Sequence, residues 1–354
     1  MLNAYGLPYG SLKVTKTQFL KRVDYEEMLR LSTPADFISY LGDRGYGDDF
    51  SSSSANYQGI DLLEASNNNH LSRINKYSLS VTPQNGKDLI VSYLIKWDLH
   101  NIKTILISKN LNLKLDETEK HLISENNAPL GMFAGLLDKN DYRNILSMDG
   151  IEDIVSYLLK FGYGKVLLSY LDDYRKSNNL STLLLSLDLY YYDMMKEKFR
   201  FYSGTEGPIF RLIKKTIDVK NIMTILKNIE YSSTDNISNY IISGGSLSQQ
   251  TTDDLMKSGS VEEAVQKLKG YSDLSKGLDF YRRRGSLVGL EGQLNSNIYW
   301  EFISTLEMSS LSLNNIIAFL MRAEAEWKDI RNLVFSRYYG INEETIKMTT
   351  INLG

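Results

Sequence analysis

Apolar residues recur along this chain at helical spacing. Val91, Leu94, Ile95, Leu99, Ile102, Ile105 and Leu106 fall mostly three or four apart. That spacing gathers them on one face of a helix and does not fit a strand. The run follows the turn pair Asn85-Gly86. A matching run passes from Ile209 through Ile213, Ile217, Ile222 and Ile225 to Leu226, with Pro208 at its first turn, where a missing N–H is tolerated. A third extends from about Leu311 to Tyr338 and stops at Gly340, a residue suited to a left-handed C-terminal cap. Shorter helices are expected over 34–42, 151–160 and 261–269. No stretch sustains an apolar–polar alternation, and the reading is all-α.

The pattern also repeats. Residues 24–47 read DYEEMLRLSTPADFISYLGDRGYG and residues 141–164 read DYRNILSMDGIEDIVSYLLKFGYG, matching at ten of 24 positions with an offset of 117. A weaker copy, KSGSVEEAVQKL at 257–268, aligns with SMDGIEDIVSYL at 147–158. A second motif closes each copy: DLHNIKTIL at 98–106, DVKNIMTIL at 218–226 and EWKDIRNLV at 326–334. Two motifs in the same order imply three tandem units, placed at 1–121, 122–235 and 236–354. Polar stretches at 48–58 (with its four serines), 110–127 and 232–239 read as a loop and two linkers, and Ser243-Gly244-Gly245-Ser246 reads as a turn.

Composition narrows the classes. The 354 residues include 40 basic and 43 acidic side chains, a net charge of -3, so the basic excess of a nucleic-acid binder is missing. There is no cysteine, which excludes disulfides, thiol catalysis and thiolate metal sites. No segment reaches the ~20 apolar residues of a membrane span, the longest candidate, 308–321, being charge-free but short, with two asparagines and several serines.

Searches for chemistry find no constellation. No phosphate-binding GxxxxGK[ST] or GxGxxG occurs, and the glycines after Arg282-Arg283-Arg284 match neither spacing. Those three arginines suggest at most a contact for an acidic partner protein. His70, His100 and His121 lack metal-site spacing, and His100 is replaced by Lys220 and Lys328 in the other copies, which reads as a basic surface position. The recurring acid is more informative. Asp98, Asp218 and Glu326 sit on apolar helix faces and need partners there, expected to be a neighbouring helix end or a Lys or Arg of the same unit. Asn101, Asn221 and Asp329 follow as packing and hydrogen-bonding groups. The 24 tyrosines, including Tyr190-Tyr191-Tyr192, read as core edge and helix contact.

These motifs resemble those of the C subunit of archaeal A-type ATP synthases, whose V-type relative is the d subunit. Residues 9–14, YGSLKV, are similar to the family's opening stretch. Residues 97–106 with Lys109 resemble its first-domain signature. EAEWKDIR at 324–331, ending at Arg331, and GINEETI at 340–346 resemble its C-terminal signature and tail. Ile107, Ala323 and Asp329 depart from the family's usual Arg, Lys and Asn. The resemblance covers essentially the whole chain. It implies a pseudo-threefold funnel of three helical domains, without catalysis and without a bound nucleotide or other cofactor. It also implies a peripheral place on the cytoplasmic face of the membrane, between the central stalk of the ATPase head and the membrane rotor ring, for torque transmission in ATP synthesis or ion transport. The competing readings are a generic α-helical repeat scaffold that binds another protein, and an enzyme using carboxylates such as Asp172 and Asp173.

Overall fold

A computed structural model describes residues 4–16, 18–122, 136–203, 207–232, 237–309 and 311–353. The described residues form helices and turns, with no strand. After α1 (Gly6–Lys16) come three shorter helices, α2 (Arg22–Met28), α3 (Pro34–Leu41) and α4 (Gly47–Ser53), then two long ones, α5 (Gly59–Val81) and α6 (Gln84–Asn110). Beyond the small α7 (Leu115–Glu119) the order returns as α8 (Lys139–Ser147), α9 (Ile151–Leu158), α10 (Tyr163–Ser177), and the long α11 (Ser181–Ser203) and α12 (Pro208–Glu230). It returns again as α13 (Gln249–Met256), α14 (Val261–Lys267), α15 (Ser275–Arg284), and the long α16 (Val288–Glu307) and α17 (Leu313–Tyr338), followed by α18 (Glu343–Thr349).

Local chemistry sets these boundaries. Thr33 caps α3 by accepting the Asp36 amide (3.2 Å), and Pro34 opens the helix. Ser260 caps α14 in the same way through Glu263. At the end of α17, Gly340 adopts φ +69 and the Ile341 amide donates to the Ser336 carbonyl (2.8 Å), a Schellman closure.

Of the stretch 48–58, read as loop from its serines, residues 48–53 are helical instead. In α4 Phe50 is buried, and the Ser51 hydroxyl donates to the Gly47 carbonyl (2.9 Å). The buried Asp49 carboxylate anchors the helix through His70 Nδ1 (2.8 Å) and the Arg73 guanidinium (2.7 Å) on α5. Serines that bond back along the helix, and one paired acid, override the loop-like composition. Of the expected linkers, 110–127 holds α7, and its part beyond 122 lies outside the described residues, as do 233–236 of the second.

The six long helices pack in a closed circuit: α5 on α6, α6 on α11, α11 on α12, α12 on α16, α16 on α17, and α17 back on α5. The short helices are offset by one position. The core of α2, α3 and α4, with Tyr25, Met28 and Phe37, is completed by Ile330, Leu333 and Val334 of α17. That of α13 and α14 is completed by Val219, Ile222 and Ile225 of α12. Each motif-bearing helix therefore carries the short helices of the next unit, and the last carries those of the first.

Candidate functional site

The repeated acids make these joints. Asp98, on α6, is fully buried. It accepts hydrogen bonds from the amides of Leu136 (2.7 Å) and Leu137 (3.4 Å) and from the hydroxyls of Tyr142 and Tyr163 (2.9 Å each). Asp218, on α12, accepts from the Ser246 amide (2.9 Å), the Ser246 hydroxyl, the Leu247 amide (3.1 Å) and Tyr271 (2.9 Å). Glu326, on α17, accepts from the Leu20 amide (2.6 Å) and Tyr46 (3.0 Å). Leu20, Leu137 and Leu247 each stand one residue before the N-cap of the first short helix of their unit. The partners are thus neutral donors at the entrance to a neighbouring helix, close to the first of the two expectations, and not a Lys or Arg of the same unit.

Glycine makes the tyrosines available. Gly45 and Gly162 adopt φ +94 and +86, left-handed values that turn the chain just before Tyr46 and Tyr163. Gly164 is required by close approach, since a Cβ there would lie 2.3 Å from the Leu159 amide nitrogen. The third unit supplies Gly270-Tyr271 at the corresponding place, a likeness too short for the sequence comparison to find.

Burial is the main force on these acids. It pushes the Asp98 carboxyl up to about 6 and that of Glu326 to about 7, against the opposing pull of their donors. The neighbouring polar positions are also tied down. Asn101 hydrogen-bonds Tyr142. Asn221 exchanges two bonds with the Ile242 backbone (2.8 and 2.9 Å). Asp329 holds the amides of Ile351 and Asn352 (2.8 Å each), with its carboxyl raised by burial to about 6. Arg331 pairs with the buried Glu64 (2.9 Å). Arg282 pairs with Glu262 (2.8 Å), while Arg283 (2.5 Å) and Arg284 (3.0 Å) share Glu344. The three arginines therefore already have carboxylates of their own chain, and they fasten α15 to α14 and α18.

The opposite face of the same helices lines a hollow. At about 100° per residue, positions five and two before the acid, and two and five after it, lie roughly 140–220° around the helix from it. A cavity of about 400 Å³ is bounded by such residues of α6, α12 and α17 together with α11 and α16. Its buried end is apolar: Tyr93, Ile213 and Met321, equivalent in the repeat, are 7%, 5% and 8% exposed. Next come Lys96, Thr216 and Glu324, then His100, Lys220 and Lys328. A second hollow of about 560 Å³ shares Asn295, Lys328 and Ile351 with the first and runs on past Arg331 to Phe335. At the far ends of these helices Leu111, Tyr231 and Tyr339, again equivalent, are 60%, 76% and 68% exposed. The lining of this hollow, the cup, thus passes along the helices from buried apolar residues to charged ones, toward helix ends that carry exposed apolar side chains.

His100 corrects the expectation of a basic surface position. It faces the cavity, its ring set edge-on to Trp97 and Trp327. Burial, assisted by Arg331, pushes its pKa down to about 4, so it is neutral at ordinary pH. The cup wall was missed because its equivalents differ in chemistry: only their helical phase, opposite the repeated acid, marks them. Asp172 and Asp173, the carboxylates of the enzyme reading, are both exposed, and Asp172 pairs with Arg175 (2.9 Å). No metal-binding cluster occurs among the described residues.

These features define an all-helical protein in which one helix order recurs three times around a closed circuit. A model of the ATP synthase (C/AC39) subunit family matches residues 8–348. The chain is 33% identical over 348 residues to the A-type ATP synthase C subunit of Thermoplasma volcanium, covering 97% of each chain. It is 34% identical over 337 residues to that of Thermoplasma acidophilum, covering 95% of each. To that of Methanocaldococcus jannaschii it is 25% identical over 279 residues, 77% of this chain and 67% of the relative. This chain belongs to the ATP synthase (C/AC39) subunit family.

Proposed function

We propose that this chain is the non-catalytic rotor component of an A-type ATP synthase, coupling the central stalk of the soluble head to the membrane rotor ring. Its three units, 1–121, 122–235 and 236–354, form a pseudo-threefold funnel. The cup receives the stalk. The opposite end, where Tyr5 packs against Gly86 just before α1 and Lys16 of α1 pairs with Glu307 (2.6 Å), rests on the ring at the cytoplasmic face of the membrane. Leu7, Val14, Phe201 and Met308 are exposed there as apolar contacts.

The observation that carries this reading is the closed circuit of long helices around a hollow. A coupler must pass torque without yielding, and densely packed helices transmit strain. A linear scaffold of stacked repeats would leave its first and last units apart, whereas Glu326 bonds directly to Leu20 and Tyr46. No helix among the described residues is long and apolar enough to cross a membrane, which suits a peripheral component. The test is co-elution of the purified chain with the detergent-solubilised rotor ring and, separately, with the central stalk of the same organism. Stoichiometric complexes with both are expected. Binding to neither, with ring and stalk intact, would overturn the proposal.

A further inference from the structure

The middle of the cup holds more positive charge than its own carboxylates neutralise. Asp188 of α11 lies between two ammonium groups, Lys103 Nζ at 2.7 Å and Lys220 Nζ at 3.1 Å. One carboxylate thus serves two lysines and leaves one charge over. Lys328, which acts electrostatically on the neighbouring buried Asp329 but makes no ion pair within 4.0 Å among the described residues, adds a second. Lys96, by contrast, is matched by Glu324. This local surplus stands in a chain whose net charge is -3.

The surplus is placed at one depth. His100, Lys220 and Lys328 occupy the same repeat position on α6, α12 and α17, and all three line the same cavity. The His100 ring has no hydrogen-bond partner among the described residues, and as a neutral imidazole it has one N–H to donate. Of the three lysines Lys103 is the most shielded from water, where unmatched charge is most costly. Consistently, desolvation holds the Lys103 ammonium below its ordinary range, with Asp188 opposing that shift and Lys220 adding to it.

We infer that the cup is built to take the acidic tip of an inserted protein segment, with one or two of its carboxylates seated among Lys103, Lys220 and Lys328. A tip of that kind would set apolar side chains on the base formed by Tyr93, Ile213 and Met321. The exposed Leu111, Tyr231 and Tyr339 at the mouth would grip the stem behind it. These apolar contacts above and below the charged level favour a polypeptide over a free anion such as phosphate. The inference rests on the reading of the cup as the stalk's socket, and it specifies the chemistry of the stalk's inserted end.

The test is isothermal titration of the full chain with the purified central stalk of the same organism, at low and high salt. Three proteins are compared: wild type, Lys220→Ala/Lys328→Ala, and Lys165→Ala/Lys176→Ala on the outer face of α10. The inner pair is expected to weaken binding about tenfold or more at low salt and to flatten its salt dependence, the outer pair to do neither. Thermal melts establish that all three are equally folded. Wild-type binding that the inner pair leaves unchanged would overturn the acidic-tip inference while leaving the socket intact. Absence of wild-type binding would overturn both. Tight binding of inorganic phosphate alone, lost in the inner pair while stalk binding is kept, would assign the charges to a free anion and also overturn it.

Discussion

The two faces of α6, α12 and α17 handle charge in opposite ways. Toward the short helices, Asp98, Asp218 and Glu326 are buried, and their hydrogen-bonding neighbours are amides and hydroxyls of the following unit. Toward the cup, Lys220 is partly exposed and Lys328 exposed, and Lys103 and Lys220 share one acid. A buried carboxylate met by several neutral donors is fixed in place and has little left to offer a partner. Half-exposed lysines with too few acids are nearly irrelevant to folding and available for binding. The contrast separates the groups that hold the circuit closed from those that could act on something entering it.

That division can be broken from either side. The largest effect is expected from Asp98→Ala, which leaves two amides and two tyrosine hydroxyls without their acceptor. At about 1–3 kcal/mol for each buried unsatisfied group, with some recovery through water, a loss of about 4 kcal/mol is expected in denaturant unfolding. A loss below about 1 kcal/mol would mean that Asp98 is not a joint.

Next in size is the pH dependence. An acid whose pKa is raised by folding binds its proton more tightly in the native state. Its contribution is complete below the unfolded value of 3.8 and disappears as pH rises through about 6. The stability of the wild type relative to Asp98→Asn should therefore fall by about 2.4 kcal/mol between about pH 4 and pH 7. A difference that stays flat, or rises with pH, would remove the assigned burial.

A smaller loss, about 1–2 kcal/mol, is expected from Tyr163→Phe, which removes one donor of four, and a similar one from Tyr46→Phe on Glu326. The smallest is on the cup side. Lys328→Ala should change unfolding by no more than about 0.5 kcal/mol. A large destabilisation there would place Lys328 among the structural groups and erase the contrast between the faces.

Much of this was legible in the sequence, for physical reasons. The all-α class and the extents of α12 and α17 followed from helical periodicity with Pro208 and Gly340 as markers. The acids stood out because a charge on an apolar stripe must recur wherever the same joint recurs. Their partners did not, because amides at 136–137 and 246–247 are backbone groups that no side-chain pattern reveals. Gly45-Tyr46 and Gly162-Tyr163 were visible, while Gly270-Tyr271 fell outside any alignable stretch. The helix α4 was hidden by its serines, whose hydroxyls bond back along the backbone. The cup was least legible. Its wall pairs Lys96 with Thr216 and Glu324, and Tyr93 with Ile213 and Met321, so geometry repeats while chemistry does not.

The most direct test of the account is the accessibility of the cup wall when the stalk is added. The chain contains no cysteine, so single thiols can be placed without background. Lys220→Cys reports from the cup and Lys165→Cys from the outer surface. The account predicts that stalk addition slows maleimide labelling at position 220 at least about tenfold, scaled to the occupancy of the complex, and leaves position 165 unchanged. Unchanged labelling at 220 in a demonstrably formed complex, or protection at 165 instead, would show that the stalk docks elsewhere and would contradict the account.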